Sequence, residues 1–376
     1  GKQSEESTGE MIRKFGGTKA LLHYGGGSVV KNGILGRVKA VLEREKIPFV
    51  ELGGVMPNPR SGLVYEGIEL CRREKVDFIL AVGGGSVIDS AKAIAAGTVY
   101  EGDFWDFYQY GWKFQKALPV GTVLTIAAAG SEGSDDAVIT QERGMLKRGA
   151  NGEAIRPKFS IMNPEFTFSL PPYQTACGIT DIMMHVCERY FTNTKDVEIT
   201  DRLCEAVLKC MIVTAPAVMK DPKDYEARAN IMWAGMVAHN NLCGVGREQD
   251  WSSHALEHEL SALYDCAHGA GLAVMMPAWM RYVMGHDIAR FAQFAVRVWG
   301  CEMDFSNPEK TAAEGIEKFS AFLSSIGMPK RIRELGGEEK DIPKLVATLG
   351  ATQERPVGNF VKLTDKDAEA IYRSAL

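Results

Sequence analysis

Several classes of protein are excluded by what this chain lacks. There is no run of about 18 apolar residues, as a membrane span needs; the longest candidate, around Gly271–Met284, is broken by Pro277 and Arg281. The opening Gly1-Lys-Gln-Ser-Glu-Glu6 lacks the basic-then-apolar order of a signal peptide. Neither sign of charge dominates. Lys and Arg number 43 against 48 Asp and Glu, a net charge of −5 spread along the chain, which is not the basic face of a nucleic-acid binder. The eight cysteines form no Cys-x-x-Cys and lie in apolar or helical surroundings, as expected of reduced thiols in a cytoplasmic protein. Histidine is scarce, with seven in 376 residues, so any clustering of it carries information.

Glycine is the one excess, with 39 residues. Ala20-Leu-Leu-His-Tyr24 runs into Gly25-Gly-Gly-Ser28, and Ile34, Val38, Val41 and Leu42 follow at helical spacing. Pro48–Leu52 predicts a second strand, Ser61–Glu74 a helix, and Val76–Val82 a buried strand ending in Gly83-Gly-Gly-Ser86. Strands alternating with helices predict a parallel sheet covered by helices. Beyond Leu170-Pro-Pro172 the pattern turns helical, in Tyr173–Phe191, Ile199–Met219, Tyr225–Cys243 and His286–Val298. The expected architecture is an α/β dinucleotide-binding domain over 1–170 and an all-helical, metal-binding domain over 171–376. The polar, glycine-rich Gly144–Pro157 reads as a mobile hairpin or loop.

A strand that ends in glycines and opens a helix lets backbone N–H groups approach a pyrophosphate. Two such turns in successive βα units favour a nucleotide site, against the alternative of purely structural turns. No Walker Lys-Ser/Thr follows either cluster, which argues against a kinase or P-loop ATPase. After the first strand, where a carboxylate would read the ribose of NAD, stand Gly25, Gly26, Gly27 and Ser28. These small neutral residues leave room for a 2′-phosphate, so NADP(H) is favoured over NAD(H).

In the helical half, Asp181 and His185 are four residues apart on one helix face, His254 and His258 repeat that spacing, and His268 follows. One Asp with several His suits Fe(II) or Zn(II). The alternatives are a hydrogen-bonded core histidine at His185, a helix-dipole role for Asp181, and a solvated face of His254 and His258 with Glu257 and Glu259. His23, His239 and His286 lie outside the clusters and read as structural.

Gly83-Gly-Gly-Ser-Val-Ile-Asp-Ser-Ala-Lys92, Leu170-Pro-(x)4-Ala176-x-Gly178-x-x-Asp181-x-x-x-His185 and His254-x-x-x-His258-(x)9-His268-Gly together resemble the iron-containing (group III) alcohol dehydrogenases. Tyr24-Gly-Gly-Gly-Ser28, Pro57-Asn-Pro59 and Asp224–Asn230 resemble the branch of butanol dehydrogenases and NADPH-dependent aldehyde reductases. The resemblance implies a dehydroquinate synthase-like fold with the site in an interdomain cleft, and a homodimer. It implies Asp181, His185, His254 and His268 as metal ligands and His258 as the nearby non-ligand catalytic histidine. On the cofactor side it implies Gly84, Gly85, Ser86 and Asp89 at the pyrophosphate, Gly26, Gly27 and Ser28 at the adenosine ribose, Asn58 at the adenine, and Thr125, Ser134 and Lys147 along the remaining groove. The expected reaction is hydride transfer between NAD(P)(H) and small primary alcohols or aldehydes, with Fe(II), alternatively Zn(II), as Lewis acid.

The sequence also departs from the family pattern. Ala127-Ala-Ala129 stands where relatives carry Thr, Ser134 where close relatives often have Asn, and the first β element of the family is expected to be absent. A dehydroquinate synthase-like lyase is the rival enzyme, disfavoured because the ligand-bearing helices are poor in Lys and Arg. An inactive nucleotide- or metal-binding homologue is the non-catalytic alternative.

Overall fold

The computed structural model describes residues 1–376, which form two compact units. The first comprises Gly1–Leu170 with Pro222–Met236, the second Pro171–Asp221 with Val237–Leu376. The expected boundary at Pro171 coincides with one division between these units, and one later segment crosses it. Pro222–Met236 belongs with the first unit, where Lys2 Nζ lies 4.9 Å from the centre of the Tyr225 ring.

The first unit is built on seven strands: β1 (Ala20–Gly25), β2 (Phe49–Val55), β3 (Phe78–Gly83), β4 (Val120–Leu124), β5 (Asp136–Gln141), β6 (Leu146–Asn151) and β7 (Phe159–Ile161). Five of them form a parallel sheet in the order β2-β1-β3-β4-β7. Its helices are α1 (Thr8–Lys14), α2 (Ser28–Lys31), α3 (Ile34–Arg44), α4 (Ser61–Glu74), α5 (Gly85–Val99) and α6 (Asp106–Tyr110). Because strand side chains alternate between faces, Ala20, Leu22, Phe78, Leu80 and Val82 share one core with Ile12, Ile34, Val38 and Leu42. On the other face His23 is fully buried, with Nδ1 2.8 Å from the Leu52 carbonyl and Nε2 2.9 Å from Ser90 Oγ of α5. Burial lowers its pKa to about 4, so the ring is a neutral spacer between sheet and helix, in keeping with the structural reading. Of the two readings of Gly144–Pro157, hairpin or loop, the structure shows the hairpin. β6 pairs antiparallel with β5, from Asp136 opposite Asn151 to Gln141 opposite Leu146, and buries Lys147 and Ala150.

The second unit is helical: α7 (Pro172–Tyr190), α8 (Glu198–Lys220), α10 (Ser252–Tyr264), α11 (His268–Val283), α12 (Ile288–Trp299), α13 (Pro308–Ser325), α14 (Ile342–Leu349) and α15 (Asp365–Ser374). The remaining helix, α9 (Tyr225–His239), begins in the first unit and ends in the second. It stops four residues short of the predicted Cys243 because Asn241 adopts a left-handed φ of 72°. Pro at the first position of α7 fits the helix start. From Gly178 to Tyr190 every residue of α7 is buried, and Phe191 just beyond stacks on Phe291 at 4.4 Å between ring centres. No helix is long and apolar enough to cross a membrane.

Candidate functional site

β1 and β3 pair directly, Tyr24 opposite Val82, while β2 lies on the other side of β1. The chain thus leaves β1 in one direction and returns to the sheet in the other. That is a topological switch point, beyond whose carboxyl ends ligands bind in parallel sheets. Both glycine turns stand there. No side chain caps the N-terminus of α5, so the amides of its first turn and its dipole remain for an anion. A Cβ on Gly84 would come within 3.0 Å of Ile126, and one on Gly85 within 3.0 Å of Ala129. After β1, Cβ atoms on Gly26 and Gly27 would meet nothing within 4 Å, and Gly27 has a φ of 144°, a conformation that side chains disfavour. An uncapped helix start beside an open glycine turn fits a dinucleotide.

The other predicted cofactor residues differ in their surroundings. Ser28 opens α2. Thr125 is buried just after β4, its amide donating to the Gly83 carbonyl at 3.0 Å. Lys147 is buried on β6, and Asn58 is buried before α4 with a φ of 51°. Asp89 and Ser134 are engaged by the protein itself. Asp89 accepts from Ser131 Oγ at 2.5 Å and from the Val138 amide at 3.0 Å. Lys92 Nζ, fully buried, donates to Ser131 Oγ and the Ser134 carbonyl at 2.9 Å and to the Asp136 carbonyl at 2.7 Å. Burial lowers the Lys92 pKa to about 8, against the opposing pull of Asp89 and Asp136. These groups brace the loop that follows Ala129 against α5, a task for Lys92 that sequence reasoning missed.

In the second unit, α7 carries Asp181, His185 and Glu188 at i, i+4 and i+7, on one face. α10 carries His254, Glu257 and His258, and His268 opens α11. Asp181 Oδ1 is the common neighbour, 3.4 Å from His185 Nδ1 and 3.8 Å from both His254 Nε2 and His268 Nε2. Asp181 Oδ1, His185 Nδ1 and His254 Nε2 are buried without a hydrogen-bond partner. Each such orphan costs about 1–3 kcal/mol, and a cation accepting their lone pairs would remove that cost. One carboxylate oxygen and three imidazole nitrogens fit a divalent metal ion.

The electrostatics differ from ring to ring. Burial alone would favour neutral His254, but Asp181 and Glu188 outweigh it and push its pKa up to about 9. Burial, reinforced by His239 and His254, holds His185 well below the ordinary imidazole range. His258 stands apart from the Asp181 group, partly exposed, its ring centre 5.6 Å from that of His268 and 6.5 Å from that of His254.

One alternative reading fails here. Glu257 and Glu259 are buried, so His254 and His258 do not share a solvated face with them. His239, read as structural, packs edge-on against His185 at 4.0 Å between ring centres, within the cluster. Trp251, at a left-handed φ of 72°, completes the wall, its ring 5.3 Å from His254 and 5.9 Å from His185.

Residues 1–164 match the profile of the iron-containing alcohol dehydrogenases, and residues 175–376 that of the C-terminal part of the Fe-containing alcohol dehydrogenase family. The chain belongs to the iron-containing alcohol dehydrogenase family. This dehydrogenase is an NAD(P)-dependent enzyme, in the butanol dehydrogenase branch. It is 43% identical over 376 residues to NADH-dependent butanol dehydrogenase A of Clostridium acetobutylicum, covering 100% of this chain and 96% of that one. It is 36% identical to the NADPH-dependent aldehyde reductase YqhD of Escherichia coli, covering 95% and 92%. The crystal structure of NADH-dependent butanol dehydrogenase A from Thermotoga maritima superposes with a TM-score of 0.96 at 40% identity, covering 100% of this dehydrogenase and 95% of that chain.

Proposed function

We propose that the enzyme interconverts small primary alcohols and their aldehydes with NADP(H) in preference to NAD(H), using Fe(II), alternatively Zn(II), held by Asp181, His185, His254 and His268. The observation that carries this reading is the convergence of two orphaned imidazole nitrogens, His185 Nδ1 and His254 Nε2, on the orphaned Asp181 Oδ1, with His268 Nε2 3.8 Å from the same oxygen. A divalent ion held there would supply Lewis acidity to the substrate oxygen, and a bound nicotinamide would supply or accept the hydride.

The chain's own residues bind, orient and exchange protons. Asp181 and the three imidazoles would hold the ion, and the Trp251 and His239 rings exclude water beside His185. His258, outside the ligand set, passes a proton between the substrate oxygen and solvent through its imidazole. Gly84, Gly85 and Ser86 hold the pyrophosphate through backbone amides. Gly26, Gly27 and Ser28 receive the adenosine ribose, and their small side chains admit a 2′-phosphate. Asn58 meets the adenine, Thr125 and Lys147 line the remaining groove, and Asp89 and Ser134 shape it from the Lys92 brace. The eight free cysteines suit a reducing, cytoplasmic compartment, and the enzyme works there as a homodimer.

The test is oxidation of NADPH and NADH with butyraldehyde, on chelator-stripped protein and on protein reloaded anaerobically with Fe(II) or Zn(II). Turnover lost on stripping and regained with metal is expected. Full turnover in protein shown to be metal-free would reject the ligand assignment. A higher kcat/KM with NADH would reject the argument from Gly25–Ser28.

A further inference from the structure

We infer that Glu188 and Glu257 are positioning residues for the metal centre, each placed three residues after one ligand and each holding the Nδ1 of the ligand on the next helix. The inference rests on the proposed ligand set. Glu188 follows His185 on α7 and reaches His254 at the start of α10, while Glu257 follows His254 on α10 and reaches His268 at the start of α11. The site is thereby linked in one direction through three helices.

Both carboxylate side chains are fully buried, which costs several kcal/mol per ion unless the charge is well partnered. Glu188 is saturated. Its Oε1 accepts from His254 Nδ1 and the His254 amide, each at 3.0 Å, and from the Ser253 hydroxyl, while its Oε2 accepts from the Trp251 amide at 2.9 Å. One group thus satisfies amides at the start of α10 and orients the first imidazole on that helix. Glu257 accepts from His268 Nδ1 on one oxygen and from the Ser261 hydroxyl on the other. Gly271 makes this possible, since a Cβ there would lie 2.6 Å from Glu257 Oε1.

With each Nδ1 donating to its carboxylate, Nδ1 of His254 and of His268 carries a proton. That leaves Nε2 as the nitrogen each ring offers to a cation that displaces any proton there, and in both rings Nε2 is the atom facing Asp181 Oδ1. The adjacent negative charge also makes each ring a stronger donor to a cation.

The experiment measures Co(II) affinity of stripped protein by competition with a chromogenic chelator, with the visible Co(II) spectrum as second readout. Wild type is compared with Glu257→Ala, Glu257→Gln, Glu188→Gln and His254→Ala. Glu257→Ala is expected to weaken Co(II) about 10–100-fold and to shift the visible bands. Glu257→Gln, which keeps the acceptor and loses the charge, is expected to fall between it and wild type. Affinities and spectra equal to wild type in both Glu257 variants would overturn the inference, even if their melting temperatures fell. If Glu188→Gln does not fold, the Glu257 pair decides alone, because Glu257 lies off the cap of α10. Wild type that takes up no Co(II), or His254→Ala that binds it as tightly as wild type, would instead remove the ligand reading itself.

Discussion

The two halves of the chemistry are made from different materials. At the ends of β1 and β3 the candidate nucleotide site is backbone: glycines, a bare helix start, and side chains that mostly serve the protein, as Asp89 and Lys92 do. Around Asp181 the candidate metal site is side chain throughout, with every ring held by a second residue or a neighbouring ring. A backbone site can lose most single side chains and suffers when one is added. A side-chain site fails with the loss of any one member.

That contrast can be broken, the largest effect first. His254→Ala removes one proposed ligand and leaves Glu188 without its imidazole, so turnover is expected to fall about 10³-fold or more with loss of bound metal, read by steady-state kinetics and metal analysis. Gly269→Ala tests the packing that brings His268 to α7, because a Cβ there overlaps the Cys177 carbonyl. It is expected to cost about 3 kcal/mol in denaturant unfolding; a change below about 0.5 kcal/mol would show that α11 shifts freely.

The first unit should answer differently. His23 has a folded pKa of about 4 against 6.5 when unfolded, so protonation favours the unfolded chain. Its contribution is fully present above pH 6.5 and lost as pH falls towards 4, about 2 kcal/mol by about pH 5. His23→Gln should flatten the acid limb of stability against pH, and an unchanged slope would reject the assignment. Smallest of all, Thr125→Ala is expected to weaken coenzyme binding less than about tenfold, the worth of one hydrogen bond. A loss comparable to that of His254→Ala would erase the distinction between the two halves.

The same difference governs what the sequence disclosed. Strand and helix periods in the first 100 residues locate β1 to β3, α4 and α5 closely, because burial on sheet faces imposes alternation and Ser61–Glu74 has an apolar face of helical period. Gly144–Pro157 leaves hairpin and loop both open, because a hairpin arm such as β6, whose burial rests on Lys147 and Ala150, looks polar in one dimension. The i, i+4 pairs and the histidine that follows bring Asp181, His185, His254 and His268 into view as candidates, and the structure places the three imidazoles within 3.8 Å of Asp181 Oδ1. Glu188 and Glu257 stayed hidden, since glutamate on a helix normally faces water. Their signal is a spacing, three residues after His185 and His254. His239 had none, because its meeting with His185 depends on where α9 ends.

Trp251 has a consequence for observing the protein. Its indole stands among the rings of His185, His239 and His254, with the Arg189 guanidinium 4.6 Å from its centre. Fluorescence of an indole responds to cations and imidazoles at such range, so the chain carries its own optical probe of the cluster. Only one of its six tryptophans is placed in this way, and the difference in emission between wild type and Trp251→Phe isolates that signal from the other five.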